Sequence, residues 1–275
     1  VVSNLIAVPL YANDGTRNGI DLNAALPVWN DLINEADPTK RWFPIPAFEN
    51  VEMPKADSQF EEANSGRMVF LRQGKRSFAG ELWADDSTPT FLGKLQGYRC
   101  VDFGVYIVDV NGSLIGSEEN GVLYPIPVDN PSWDPRFMFA TDSTTQKIML
   151  GFDFERLFDE STMYMITADE ASINFGSLKG LIDVELTVLS DSQTSAAVKG
   201  EFHYGTALNK IKFKGATAAD FSLFNVSDNA SVSIILAVEG PEGEYTLSFA
   251  SQTVSDALRL RVNKDGFTGE VTWIV

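Results

Sequence analysis

His203 in "GEFHYG" is the chain's one histidine and Cys100 in "GYRCVDF" its one cysteine, so chemistry that needs an imidazole or a thiol has to use them. A Ser-His-Asp or Cys-His arrangement activates its nucleophile by passing a proton to the imidazole. Neither residue has such a setting, since no G-x-S-x-G elbow occurs and the two lie in different halves of the chain. The expectation is a surface or edge-strand histidine and a buried, inert thiol. Carboxylates occur in pairs: Glu61-Glu62, Asp85-Asp86, Glu118-Glu119, and Asp129 with Asp134 in "PVDNPSWDPRF". Glycoside hydrolysis needs two acids across a sugar-sized groove, and Trp133 beside Asp134 could form its aromatic wall. Read instead as a proline-rich loop closing a strand, the same stretch does no chemistry. "DVNGS" at Asp109 to Ser113 supplies two or three of the oxygens of a calcium loop and lacks the distal Glu, so an Asn-Gly turn explains it. Phosphate-cradling glycine motifs are absent. The reading is of a non-enzyme with no catalytic residue, no metal site and no cofactor.

One cluster stands against the composition. The formal net charge is -17, yet Arg67, Arg72, Lys75 and Arg76 fall within "RMVFLRQGKRSFAGELW". An acidic surface repels nucleic acid and anionic membranes, which disfavours a general DNA-binding role. A basic tip on an acidic chain can dock on another copy of that chain. Arg72, Lys75 and Arg76 are therefore expected to contact Glu61, Glu62, Asp85, Asp86 or Glu118-Glu119 of a neighbour. The competing reading is a solvated edge, since charges commonly blunt edge strands.

The elements that would position these residues are mostly strands. "RMVFLR" and "RSFAGELW" flank Gln73-Gly74-Lys75 and read as a β-hairpin. In "TTQKIMLGFDF", Ile148, Leu150, Phe152 and Phe154 alternate strictly, which buries one face of a strand. Two helices are legible. One covers "LPVWNDLINEADP", with Pro27 in its first turn and Trp29, Leu32, Ile33 and Ala36 on one face; the other covers "DDSTPTFLGKLQG", capped by Ser87. The segment "GFDFERLFDESTMYMITADEAS" reads as a bridge between two halves. From Leu181 onward short strands follow one another at sandwich spacing: "IDVELTVLS", "AAVKGEFHY", "NKIKFKG", "DFSLFNVS", "ASVSIILAVE", "EYTLSFA", "DALRLRVN" and "GEVTWIV". The fold class is mainly β, with an α+β first domain over residues 1–178 and an immunoglobulin-like β-sandwich over 179–275. Residues 1–178 carry 13 basic and 26 acidic side chains, so most of the negative charge is expected there. No run of about 18 apolar residues occurs, and the N-terminal stretch lacks the basic region and long apolar run of a signal peptide, so synthesis in a cytoplasm is expected.

This order of elements, a strand-rich first domain with a hairpin and a following helix, then an appended sandwich, resembles the major tail (tail tube) proteins of long-tailed bacteriophages. "RQGKRSFAGELWADDSTPTFLGKLQGYRC" and "YIVDVNGSLIGS" followed by "YPIPVDNPSWDPRFMFATDSTTQKIML" are similar to such virion proteins. "FKGATAADFSLFN", "EGEYTLSFA" and "ALRLRVNKDGF" are similar to immunoglobulin-like modules of virion and bacterial surface proteins. The resemblance implies a tail-tube-like assembly domain and a structural role in the virion tail, with six copies per ring and rings stacked around a lumen. Its implied partners are other copies of itself and tail proteins such as the tape measure and terminator; genomic DNA passes without specific binding, and no membrane is involved. Two other classes share parts of this pattern: a capsid decoration or other head-associated protein, and a carbohydrate-binding surface protein using Trp133 and Trp83.

Overall fold

A computed structural model describes residues 1–83, 87–206 and 209–275, giving the backbone course alone for residues 203, 205, 206 and 209. Its chain is mainly β, 50% strand against 14% helix, and the sheets curl toward half-barrel and near-barrel shapes. It divides into two compact units, Val1–Gly180 and Leu181–Val275.

In chain order the strands of the first unit are β1 (Val2–Pro9), β2 (Ile20–Asp21), β3 (Phe43–Ile45), β4 (Glu49–Glu52), β5 (Gln59–Glu62), β6 (Met68–Arg72), β7 (Ser77–Trp83), β8 (Phe103–Asp109), β9 (Leu114–Glu119), β10 (Val122–Tyr124), β11 (Ile126–Pro127), β12 (Asp134–Met138), β13 (Lys147–Asp153) and β14 (Met163–Ile166); its α-helices are α1 (Trp29–Ile33), α2 (Pro89–Gly97) and α3 (Ala168–Ala171). One sheet runs β2-β10-β9-β8-β1-β3, with β11 on β8 and β14 on β9, and a second runs β12-β13-β7-β4. β8 is an unbroken apolar run because both of its faces are covered, Phe103 to Val108 all being buried. β13 and β7 alternate because one face alone is covered. Ile148, Leu150 and Phe152 point inward opposite Leu82, Gly80 and Phe78, and the Phe78 and Phe152 rings stack at 5.0 Å.

The helices are shorter or begin later than expected. α1 stops at Ile33, because Asp37 folds the following chain on itself by accepting the Thr39 backbone N–H at 2.9 Å and hydroxyl at 2.7 Å. α2 is capped by Thr88, whose Oγ1 accepts the Phe91 N–H at 3.2 Å. Ser87 instead faces Gln146, donating to its carbonyl at 3.3 Å. The expected bridge between the halves belongs to the first unit, for it supplies the end of β13 and the whole of β14.

The hairpin is one strand away from where the sequence put it. β6 pairs with β5, Phe60 opposite Phe70 and Glu62 opposite Met68, while β7 enters the β12-β13-β7-β4 sheet. The turn is residues 63–66, closed by Gly66 N–H to the Ala63 carbonyl at 2.8 Å, with Gly66 at φ +75°. Gly74, read as the turn glycine, serves close backbone approach instead: a Cβ there would lie 1.5 Å from the Ala56 carbonyl oxygen. Gln73-Gly74-Lys75 is thus the root of the hairpin.

The second unit holds β15 (Ile182–Ser192), β16 (Ser195–Thr206), β17 (Asn209–Lys212), β18 (Phe221–Asn225), β19 (Ala230–Val232), β20 (Ile234–Glu239), β21 (Glu244–Phe249), β22 (Ala257–Lys264) and β23 (Phe267–Ile274). Their order is β19-β18-β22-β23-β15-β16-β21-β20, with β17 also on β16. β15 opens parallel to β23, Ile182 opposite Phe267, and continues antiparallel to β16. "ASVSIILAVE" is two strands rather than one. Ser233 alone separates β19 from β20, and they lie at opposite ends of the strand order. Val198, Tyr245, Leu247, Leu258, Leu260 and Val262 are fully buried in this unit, each on the inward side of an alternating strand.

Candidate functional site

Strand β6 carries Met68, Val69, Phe70 and Leu71 in a row, and the structure covers none of them: their exposures run from 44 to 58%, with Phe60 across the ladder at 53%. Successive residues of a strand point to opposite faces, so β6 presents apolar side chains to solvent on both. Phe60 and Phe70 meet edge to face at 5.7 Å. Glu61 and Glu62 lie on β5, exposed and paired with Val69 and Met68, so they share the hairpin with the arginines they were expected to meet from another copy.

Arg72, Lys75 and Arg76 each have a partner within their own chain. Arg72 donates from Nε to Gln59 Oε1 at 2.6 Å within the hairpin. The Lys75 ammonium pairs with Asp153 at 2.5 Å, and Arg76 Nε donates to Glu160 Oε1 at 2.7 Å. Lys55 approaches the other oxygen of Glu160 at 2.8 Å, and the Gln73 amide Nε2 donates to the carbonyls of Arg156 and Phe158 at 3.1 and 2.8 Å. The basic cluster therefore ties the root of the hairpin to the segment that precedes β14. Asp85 and Asp86 lie outside the described residues. Of the remaining acid pair, Glu118 accepts the Gly121 N–H at 2.6 Å in its own turn, and Glu119 pairs with Arg17 at 2.7 Å.

Glu160 gives this root a pH dependence. Hydrogen bonds from Arg76 and then Lys55 hold its carboxyl below the usual glutamate range against the cost of partial burial. A pKa depressed by folding stabilises the fold above the ordinary value and loses that contribution as pH falls through the depressed one. Below about pH 4 the amides of Ala56, Ser77 and Phe154, which bond across the root, should exchange faster relative to core amides. Glu160→Gln should show that faster exchange already at neutral pH. Equal pH profiles in the two proteins, read by amide exchange, would refute the assignment.

The groove imagined around Trp133 is filled. Trp133 is 1% exposed, donates Nε1–H to the Leu95 carbonyl at 2.7 Å, and packs on Phe103 and Phe152. Asp134 is engaged by Arg99 at 3.0 Å and by Arg136. Trp83 is exposed at the end of β7, where its Nε1–H donates to Glu81 and the Lys147 ammonium sits 5.8 Å from its ring. Asp109 accepts the Asn111 and Ser113 N–H groups at 3.0 and 2.8 Å, closing an Asx turn. Among the described residues no three His, Cys, Asp or Glu side chains gather where they could hold a metal ion, and no helix is long and apolar enough to cross a membrane. His203 lies in β16, and its side chain is outside the description.

Cys100 is exposed rather than buried, because the 3-10 turn Tyr98–Cys100 turns Tyr98 inward and leaves its last residue outside. Ellman's reagent should titrate one thiol per chain in the native protein; a thiol that reacts only after denaturation would contradict this placement.

β5 and β14 were missed by sequence reasoning, the first being half of the hairpin and the second the strand on β9. The signal for the first was "ANSG", a turn string directly before "RMVFLR". The chain matches no protein-family model, and no curated protein sequence is significantly similar to it.

Proposed function

We propose that the chain is a self-assembling structural protein of a virion: a subunit of the tail tube of a long-tailed bacteriophage, forming stacked rings around a DNA-conducting lumen. The observation that carries self-assembly is the β5–β6 hairpin, five large apolar side chains exposed on a two-stranded ribbon. A lone two-stranded hairpin is marginal in water, and an edge strand with a run of apolar residues pairs with other chains unless it is covered. Cover from neighbouring copies would order it. The acidic composition fits a wall along which DNA slides, since adhesion grows with the number of phosphates neutralised. Other partners on this reading are further tail proteins such as a tape measure and a terminator.

The second unit supports an immunoglobulin-like reading. Its strands β15, β16, β21 and β20 follow the order A-B-E-D, and β19, β18, β22 and β23 the order C′-C-F-G, with β15 shared between the sheets and the chain crossing from one to the other at Ser233. Such a module fits the surface of an assembled particle.

Negative-stain electron microscopy of the purified protein, with sedimentation velocity on the same sample, tests the proposal. Rings or tubes are expected. Flat lattice patches would favour a capsid decoration protein, and monomers at every concentration and salt would overturn self-assembly.

A further inference from the structure

What the hairpin docks on is suggested by a second uncovered edge in the same unit. Among the described residues β6 pairs with β5 alone and β14 with β9 alone, so each strand has one side of its backbone unpaired. Met163, Tyr164 and Met165 of β14 are each exposed at 44 or 45%. Three in a row means that both faces of the strand are open together with its edge. Natural edge strands are usually blunted by a charge, a proline or a bulge. Met68 to Leu71 and Met163 to Ile166 contain neither charge nor proline.

Charge lies at the ends of each strand, with opposite sign. Arg67 and Arg72 bracket the apolar part of β6; Asp159 and Glu160 precede β14, and Asp169 and Glu170 follow it. Glu160 is occupied by Arg76 and Lys55, while the exposed Asp159 and Glu170 carboxylates accept backbone N–H groups as caps and keep their charge at the surface beside the exposed Asp169. Two β6 strands laid antiparallel would set arginine against arginine, and two β14 strands would set acid against acid. β6 against β14 sets unlike charges together at both ends. The lengths also agree, about 17 Å for five residues and about 13 Å for four.

We infer that β6 of one copy adds as a strand to the free edge of β14 in another copy, extending that copy's β14-β9 sheet by the two strands of the hairpin. This rests on the self-assembly reading above and names the surface it uses. Backbone bonds along the new ladder would supply affinity, and the alternating side chains of β6 would settle on the two open faces of β14.

The test uses single-cysteine full-length chains, Phe70→Cys and Tyr164→Cys, each with Cys100→Ser so that the exposed native thiol does not react. The two are mixed in equal amounts, allowed to assemble, and treated with a short bis-maleimide. A covalent dimer in the mixture, at least tenfold above either variant alone, is expected. Dimer from Phe70→Cys alone would mean that β6 pairs with itself and would overturn the inference. So would particles that form normally without a cross-link, a result that leaves the self-assembly reading standing; wild-type protein that never forms particles overturns that reading itself. If the cysteine variants fail to assemble, charge reversal decides. Arg67→Glu with Arg72→Glu, and separately Asp169→Lys, should each lower the sedimenting fraction at least tenfold, and the three changes in one chain should restore it. Failure of that restoration in folded protein would also overturn the inference.

Discussion

Replacing Phe60 and Phe70 together by serine should leave the chain folded and abolish its assembly. The two rings touch each other edge to face, stand about half exposed, and sit on a ribbon outside both large sheets of the first unit. Their loss therefore opens no cavity in the core, and the melting temperature should hold within a few degrees. The effect on a docked state is larger. Fully burying a phenylalanine side chain stabilises by about 1.5–3 kcal/mol, and each ring still has roughly half of its surface to bury. Losing both should weaken every contact by about 1.5–3 kcal/mol, on the order of tenfold to a hundredfold in each association constant. In the proposed ring that contact repeats around the whole circumference, so the sedimenting fraction should fall to background. Particles of wild-type abundance from the double variant would remove the hairpin from any role in assembly.

Trp133→Ala should produce the largest loss of stability in the first unit, about 3–5 kcal/mol. The indole lies against Phe103, Phe152 and Tyr98 at centroid separations of 4.9, 5.2 and 6.4 Å and is sealed from solvent. It also donates to the Leu95 carbonyl in the last turn of α2, which the Tyr98 N–H reaches as well, so truncation leaves a cavity and removes one of that carbonyl's two donors. Trp133→Phe separates the two effects, keeping most of the volume and losing the hydrogen bond, at about 0.5–1.5 kcal/mol. Urea denaturation followed by circular dichroism measures both. A cost below about 1 kcal/mol for the alanine variant would show that the site can collapse around the missing ring.

These two sites illustrate what was legible in the sequence and what was not. Wherever one face of a strand is buried, the alternation is plain: Ile148, Leu150 and Phe152 read directly as an inward face and are one. Trp133 gave no such signal, because a single aromatic in a proline-rich loop looks the same whether it lines a groove or plugs a core. The hairpin was misread because "RMVFLR" suits either neighbour, and Gly74 between two β-favouring runs imitates a turn although its lack of a Cβ serves the approach of Ala56. β14 escaped notice since "MYMI" neither alternates nor ends in turn residues, the pattern expected of a strand open on both faces. The same openness makes it a candidate surface. Residues that betray a core by periodicity are bound to that core, whereas those left for another molecule have no internal partner to impose a period on them.

The parallel start of β15 against β23 has a mechanical consequence. Tension applied between Leu181 and Val275 pulls the two strands past each other along their length, because the chain enters at the beginning of one and leaves at the end of the other. Bonds between strands lie across such a pull and share the load, whereas strands peeled from one end release their bonds one at a time. The patch is short, Ile182 and Asp183 against Phe267 and Thr268, but it is backed by the full antiparallel pairing of β22 with β23 and of β15 with β16. A pull along the ends of this unit therefore meets a shear geometry at the patch rather than a peeling one.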